Sequence, residues 1–336
     1  MITRRSALAL PLLAAPVTAR AQERTCRFSL DWTLSGSSAF VLAARRAGYF
    51  REEGIDARVS RGFGSGRVPV DIAAGTYDMG FGDFSAMAAF AAANPDIGMV
   101  CVLMAFDGLP LVAVSRADGP IRAPRDLGGR HIAAPDADAG RQMFPVFAEF
   151  AGFDASGVRW TSVSPQLREP MLVRGQVDAI TGFVTSTSIS LKGLGLPVEQ
   201  QVIMRYRDVG VPLYSNCVMT TRRYAEQNPG VVRGVVRAIT RGVRLMAANP
   251  REATMAVREA EPLLDLDLET ERAQITVNEM ILTDHVRRHG LSAVDPERIA
   301  RSVEILARVQ SLPRRPSPAE LYTDAFLPAA ADRAVA

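Results

Sequence analysis

The stretch that decides the fold is residues 56–86, which read DARVSRGFGSGRVPVDIAAGTYDMGFGDFSA. The pattern predicts a strand, a glycine-rich turn, a short helix, a tight turn, a buried strand and the start of a second helix at 83–85. Strands that alternate with helices are typical of a parallel sheet. Two helix N-termini would then open at the edge of the sheet where α/β proteins bind ligands, and their free N–H groups suit polar or anionic groups. We therefore expect half of a small-molecule site here.

Length and composition describe a globular chain with room for two lobes. The chain is 48% hydrophobic and 22% charged, which is ordinary for folded proteins. At 336 residues it is too long for a single hydrophobic core. The formal net charge is +3, but removing the three arginines of residues 1–21 leaves 36 basic against 36 acidic residues. A balanced chain has no electrostatic footprint for nucleic acid. We therefore expect no nucleic-acid partner. We also expect the protein to be a monomer.

The N-terminus carries the pattern of an export signal. Arg4 and Arg5 form a twin-arginine pair, an apolar run follows to Val17, and 19–21 is a small-x-small cleavage site. The apolar run is too short to span a bilayer. The alternatives are a tail or an uncleaved anchor, and the choice between the twin-arginine and the general route stays open. We expect residues 1–21 to be a signal peptide and the mature protein to be periplasmic.

The rest of the chain repeats one architecture twice. Alternating strands and helices predict a first lobe from 22–108 and 217–312 and a second from 109–216, each a mostly parallel sheet flanked by helices. Strands at 111–115 and 214–221 are candidates for the two crossings between the lobes. The proline-rich segment 313–336 is expected to be a loosely ordered tail. The fold class is thus α/β with two lobes.

Candidate ligand-binding residues of the first lobe follow its strands. Trp32 could stack on a flat ring or pack against the first helix, and Asp31 could bond a ring amine or cap the turn. The turn at 64–66 could aim backbone N–H groups at a ligand or be an ordinary strand-to-helix connection. Its residues are Gly64, Ser65 and Gly66. Two further candidates, Asp83 and Ser85, could equally cap the helix N-terminus or contact the ligand directly.

The second lobe offers the opposite wall. Asp138 and Gly140 open a helix, and the adjacent Arg141 could clamp a carboxylate or sulfonate unless it is simply solvated. Phe183 and Thr185 follow the lobe's last strand and are candidates for lining the cleft. Asn216 lies at the return crossing, where it could contact the ligand or hold the hinge.

Other chemistries lack the residues they need. The glycine-rich turn continues as Arg67-Val68-Pro69, which fits neither a dinucleotide fingerprint nor a P-loop. His285 and His289 have metal-ligand spacing, but no third ligand is indicated. Three scattered cysteines make neither a disulfide framework nor a zinc site. We expect no catalytic residue, no metal and no cofactor.

Four motifs carry a family resemblance over residues 26–312. They are Leu30-Asp31-Trp32, the segment AGYFREEGI at 47–55, the loop at 62–66 and the Gly75-x-x-Asp78-x-Gly80 turn. Together they resemble the SsuA/THI5-like (NMT1) solute-binding proteins of ABC transporters. The resemblance implies a type II periplasmic binding protein fold, a two-stranded hinge, a solute in the cleft between the lobes, and delivery to a membrane permease.

The resemblance leaves the solute open. The Asp-Trp pair is similar to the branch that binds thiamine-pyrimidine precursors, whereas other branches bind sulfonates, riboflavin or aromatic acids. A related pyrimidine synthase consumes its own histidine and uses iron and a cysteine-rich motif, and this chain has no cysteine run and no histidine in its first-lobe loops. We therefore expect a binding protein for a small planar or anionic solute. The rival hypothesis is an exported sensor or enzyme that reuses the fold.

Overall fold

The computed structural model describes residues 23–335, and the predicted signal peptide lies outside them. Ten strands form two sheets of five. The strands are β1 (Arg24–Ser29), β2 (Ile55–Ser60), β3 (Met79–Asp83), β4 (Met99–Met104), β5 (Leu111–Arg116), β6 (His131–Ala134), β7 (Arg159–Ser162), β8 (Ala179–Phe183), β9 (Gln201–Arg205) and β10 (Asn216–Thr221).

Helices cover the sheets and build the C-terminal part. They are α1 (Ala39–Arg46), α2 (Tyr49–Glu52), α3 (Arg67–Ala73), α4 (Phe84–Ala93), α5 (Ala139–Gln142), α6 (Phe144–Ala151), α7 (Arg168–Val173), α8 (Val184–Gly193), α9 (Arg222–Gln227), α10 (Pro229–Ala248), α11 (Pro250–Ala260), α12 (Leu266–Ile275), α13 (Asp284–His289), α14 (Pro296–Gln310) and α15 (Pro318–Leu321). A π-helical turn, Thr276–Ile281, continues α12. Among residues 23–335, none of the helices is both long and apolar enough to cross a membrane.

Each sheet has four strands in one direction and one strand against them. The first runs β2-β1-β3-β10-β4, with β10 antiparallel to both neighbours, and the second runs β7-β6-β8-β5-β9, with β5 antiparallel. The mostly parallel α/β architecture expected from the sequence is confirmed. Helices cover β4 on both faces, which explains why all six of its residues are apolar and buried.

The chain passes between the sheets twice, between β4 and β5 and between β9 and β10. The predicted crossing strands lie inside the sheets, and the segments 105–110 and 211–215 make the passage. Arg298 of α14 joins them, because its guanidinium donates to the Asp107 carboxylate at 2.9 Å and to the Leu213 carbonyl at 2.8 Å. It also lies 3.9 Å from the centre of the Tyr214 ring. We call the parts built on the first and second sheets lobe I and lobe II.

The C-terminal segment is packed, whereas the sequence predicts a loosely ordered tail. Pro318 is the first residue of α15, which begins with a capping box between Ser317 and Glu320. Leu321 is fully buried, and Tyr322 forms a bridge to Cys101 of β4. An apolar side chain every few residues thus anchors a segment whose proline content suggested disorder.

Candidate functional site

A cavity lies where lobe I and lobe II face each other. The empty space between its walls is about 450 Å³, a figure that includes the part open to solvent. The wall from lobe I is polar on one side and aromatic on the other, and α5 and α8 of lobe II close it. The lining residues are Asp31, Trp32, Thr33, Ser35, Ser37, Ser38, Ser65, Phe81, Phe106, Asp138, Ala139, Phe183, Ser186 and Asn216.

Asp31 is the carboxylate that the cavity wall fixes most firmly. Asn216 Nδ2 donates to its Oδ2 at 2.7 Å, and Ser65 Oγ donates to the same oxygen at 2.9 Å. Burial raises the pKa of this carboxyl to about 6, although both hydrogen bonds lower it. The three residues come from different parts of lobe I, and the sequence predicted each of them as a site residue. They meet because β10 runs beside β3, and the 64–66 turn folds back over the end of β1.

Trp32 lies at the cavity wall and touches lobe II. The guanidinium carbon of Arg168 is 4.6 Å from the centre of its ring, which is cation–π geometry. Arg168 is only 1% exposed and bridges two acids, Asp138 at 3.1 Å and Glu169 at 2.5 Å. The indole therefore has one partner in lobe II while another part of its surface faces the cavity.

Asp138 lines the cavity, but its oxygens are already occupied. Its Oδ1 accepts from Thr181 Oγ1 at 3.0 Å and from the backbone N–H of Arg141 at 2.9 Å, which is the N-cap of α5. Its Oδ2 pairs with Arg168. Asp138 thus orders the lobe II wall and has little capacity left for a solute.

Asp83 and Ser85 are fully buried at the start of α4 and do not line the cavity. Asp83 Oδ1 accepts a hydrogen bond from Ala86 N–H at 3.0 Å, so Asp83 caps the N-terminus of α4. N-capping is one of the two roles that the sequence suggests for it. Burial, helped by the nearby negative charges of Asp31 and Asp138, raises the pKa of Asp83 to about 7, although hydrogen bonds from two backbone N–H groups lower it. Among the described residues, neither Asp83 Oδ2 nor Ser85 Oγ has a hydrogen-bond partner.

The glycine-rich turn contacts lobe II, whereas the sequence suggested contact with a ligand. Gly64 N–H donates to Asp31 O at 2.7 Å, and Gly66 N–H donates to Ala137 O across the interlobe gap at 3.0 Å. A Cβ on Gly64 would lie 2.5 Å from the Ala137 oxygen. Glycine is required at position 64 because two backbones approach closely there. Gly64 and Gly66 do not line the cavity, and Ser65 is the residue of the turn that reaches it.

Arg141 does not face the cavity, contrary to its predicted role as an anion clamp. Its guanidinium pairs with Asp136 at 2.7 Å, donates to Ala134 O at 3.0 Å, and lies 5.0 Å from the Trp160 ring centre. Asp136 and the Ser162 hydroxyl, which accepts from the guanidinium at 3.0 Å, hold the side chain away from the cavity. Gly140 and Thr185 are also outside the lining: Gly140 O accepts from Tyr206 Oη at 2.8 Å, and Thr185 O accepts from Arg272.

Sequence reasoning missed several residues of the site. Phe81 and Phe106 form the aromatic wall, with ring centres 5.2 Å apart in an edge-to-face arrangement. They lie in buried apolar runs, where nothing distinguishes a cavity wall from the core. Arg168 is one of many arginines, and only its tertiary partners reveal it. Ser37, whose hydroxyl is buried without a described partner, lies in a polar turn with no motif that indicates a binding site.

The surroundings of the cavity are acidic overall. Asp31, Asp83, Asp138 and Glu169 are buried around it, and the cation among them, Arg168, already bridges two of these acids. Within 23–335 there is no group of three or more side chains arranged to hold a metal ion. Such a site favours a solute that donates hydrogen bonds or carries positive charge over one that brings an anion.

The two lobes with a cavity between them have the periplasmic binding protein fold. A family model described as NMT1/THI5 like matches residues 35–253, and the chain belongs to this family. In fold, it matches the alkanesulfonate-binding protein SsuA from Xanthomonas axonopodis pv. citri bound to MOPS, with a TM-score of 0.69, 14% identity, and 90% and 99% of the two chains covered. The resemblance expected from the four sequence motifs is confirmed.

Three relatives have names that indicate a ligand or an activity. The chain is 24% identical over 334 residues to riboflavin-binding protein RibY of Chloroflexus aurantiacus, covering 94% of this chain and 91% of that protein. It is 27% identical over 267 residues to a formylaminopyrimidine-binding protein of Halalkalibacterium halodurans, covering 73% and 74%. It is 20% identical over 235 residues to a Legionella pneumophila protein named 4-amino-5-hydroxymethyl-2-methylpyrimidine phosphate synthase, covering 70% and 73%.

Proposed function

We propose that this protein is an exported, monomeric receptor that binds a planar nitrogen heterocycle with N–H donors and delivers it to an ABC permease. Aminopyrimidines of the thiamine-precursor class are the first candidates. The observation that carries the proposal is the Asp31 carboxylate, held by Asn216 and Ser65 at the cavity wall beside Trp32.

The geometry of Asp31 suits an amino group on a ring. Both side-chain donors engage Oδ2, so Oδ1 keeps acceptor capacity for a solute. A carboxylate with a pKa of about 6 is mostly ionised at neutral pH and accepts strong hydrogen bonds from ring amines. The adjacent indole and the Phe81–Phe106 wall provide flat apolar surfaces against which a ring can pack.

The charges argue against the rival solutes, sulfonates and aromatic carboxylates. A buried anion needs a cation or several free donors. Arg168 is neutralised by Asp138 and Glu169, and Arg141 points outward to Asp136. An anion placed beside Asp31 would also be repelled by it.

The relatives support the same solute class. Riboflavin and formylaminopyrimidine, named for two of them, are both planar nitrogen heterocycles. The predicted signal peptide supports export. A binding role, as opposed to turnover, is supported by the two relatives that are named as binding proteins.

The test is a thermal-shift screen of the mature protein, after mass spectrometry of denatured material has excluded a co-purified solute. Aminopyrimidines, flavins, sulfonates and aromatic carboxylates are compared, and hits are measured by calorimetry. A solute at a hundred times its Kd stabilises the folded state by about 2.7 kcal/mol. Stabilisation by aminopyrimidines supports the proposal, whereas stabilisation by sulfonates or carboxylates alone overturns the assigned solute. Chemical conversion of a bound compound would support the rival enzyme.

A further inference from the structure

Helix α12 packs against both lobes without lining the cavity. It lies beside α11 in lobe I, and it also contacts α8 of lobe II and the 36–38 turn of lobe I. Two charged residues of this helix, Glu269 and Arg272, are 5% and 6% exposed and form an ion pair at 3.1 Å. A buried ion pair on a helix that contacts both lobes is weak evidence for stability and calls for another reason.

Each member of the pair holds a different lobe. Glu269 Oε2 accepts from the backbone N–H of Gly36 in lobe I. The Arg272 guanidinium donates to the Thr185 carbonyl and, at 3.3 Å, to Ser190 Oγ, both on α8 of lobe II. The path from lobe I to lobe II is therefore continuous through charged hydrogen bonds.

The points that the pair holds are the backs of the two cavity walls. Gly36 lies between Ser35 and Ser37, which line the cavity, and Thr185 lies between two lining residues of lobe II, Phe183 and Ser186. Gly36 also packs directly on α12, because a Cβ there would be 2.0 Å from the Glu269 carbonyl oxygen. A shift of α12 would therefore move both walls.

The π-helical turn after α12 extends the same contact to the crossing. Met280 O accepts from Gly108 N–H at 2.9 Å, in the first crossing segment. Glu279 pairs with Arg205 at 2.8 Å and with Arg207 at 2.9 Å, both in lobe II. The segment 266–281 thus touches lobe I, the crossing and lobe II in turn.

We propose that Glu269 and Arg272 are positioning residues that hold the two cavity walls in register and favour the closed arrangement of the lobes. They act through the backbone of Gly36 and Thr185 and touch no solute. The predicted effect of the pair on solute affinity rests on the proposed function. The predicted effect on the distance between the lobes is independent of that function.

The test compares Arg272→Met with Lys192→Ala. Lys192 and Glu271 also join α8 to α12, at 2.6 Å, but they are exposed, so breaking that pair should change little. Arg272→Met keeps the length of the side chain and removes its donors. If Arg272→Met does not fold, the double variant Glu269→Gln, Arg272→Met replaces it, because this variant also removes the Glu269 charge that would otherwise be buried without a partner. The three native cysteines are buried, so spin labels can be placed on exposed positions 58 and 159 of the two lobes.

We expect the label distance of the unliganded Arg272→Met protein to increase and broaden, and Lys192→Ala to match the parent. For a solute found in the screen, Kd should rise at least about fivefold, mainly through faster dissociation. Arg272→Lys should restore part of both effects, because an ammonium can reach one of the acceptors. Distances and Kd equal to those of Lys192→Ala would overturn the inference. Failure of the parent to bind any compound would overturn the proposed function and leave the distance comparison valid.

Discussion

The guanidinium of Arg168 in lobe II lies 4.6 Å from the indole centre of Trp32 in lobe I. This contact joins the lobes at the edge of the cavity, and Arg168 is held there by Asp138 and Glu169. Trp32 thus lines the cavity and is also a point where lobe I contacts lobe II.

Trp32→Ala should weaken solute binding by about 1–3 kcal/mol, the range measured for stacking one flat ring on an aromatic side chain. The melting temperature of the unliganded protein should change little, because Trp32 is partly exposed. Calorimetry and thermal unfolding measure the two quantities. Trp160 is the matched control: it also faces an arginine but packs on Phe144 away from the cavity, so Trp160→Ala should lower stability and leave affinity unchanged. Unaltered affinity in Trp32→Ala would remove this residue from the site.

Gly64→Ala should impair closure of the lobes. Gly64 has φ +129°, and an added Cβ would lie 2.5–2.9 Å from atoms of Ala137 in lobe II. We expect about a tenfold loss of affinity, equivalent to about 1.4 kcal/mol, because closure must push these backbones apart. Gly75→Ala is the control, since Gly75 also has positive φ but nothing within 4 Å of its Cβ position. Gly75→Ala should cost stability with normal affinity, and equal affinity losses in both variants would contradict a closure role.

The sequence predicted Asp31, Trp32, Ser65 and Asn216 as ligand-binding residues, and the structure places all four in the cavity lining, because strand ends in α/β sheets converge at one edge. Their contact with a solute stays a prediction. The sequence could not separate them from Gly66, since a backbone N–H that can bind a solute can equally bind a carbonyl of the other lobe, as the Gly66 N–H does with Ala137 O. The outward turn of Arg141 and the inward turn of Arg168 depend on which acids surround each after folding. In an arginine-rich chain, neither position carries a local signal.

The stability of the unliganded protein should fall as pH rises from 5 to 8. The pKa values of Asp83 and Asp31 are raised to about 7 and about 6 in the folded state, above the unfolded value of about 3.9. Their contribution is fully present below the unfolded pKa and is lost as pH passes through the folded values. Asp83→Asn keeps the α4 N-cap and should flatten the dependence, by an amount on the order of a few kcal/mol at pH 8. Denaturant unfolding at both pH values measures it, and an unchanged slope in Asp83→Asn would contradict the assignment.

Asp31→Asn tests the solute class as well as the residue. The substitution keeps the shape of the side chain and removes the charge, so an aminopyrimidine should lose about 1.5–3 kcal/mol of binding free energy, the usual contribution of a hydrogen bond to a charged group. A sulfonate or carboxylate should instead bind the variant more tightly, because the repelling charge has gone.

The matched control is Asp136→Asn, which neutralises a carboxylate that is 76% exposed and pairs with Arg141 outside the cavity. This variant should bind like the parent. The unliganded Asp31→Asn protein should be at least as stable as the parent at pH 8, since it no longer buries an ionised carboxylate. Calorimetry with one aminopyrimidine and one sulfonate therefore gives opposite signs for the two hypotheses. Parent-like affinity for both compounds would mean that Asp31 only orders the turn.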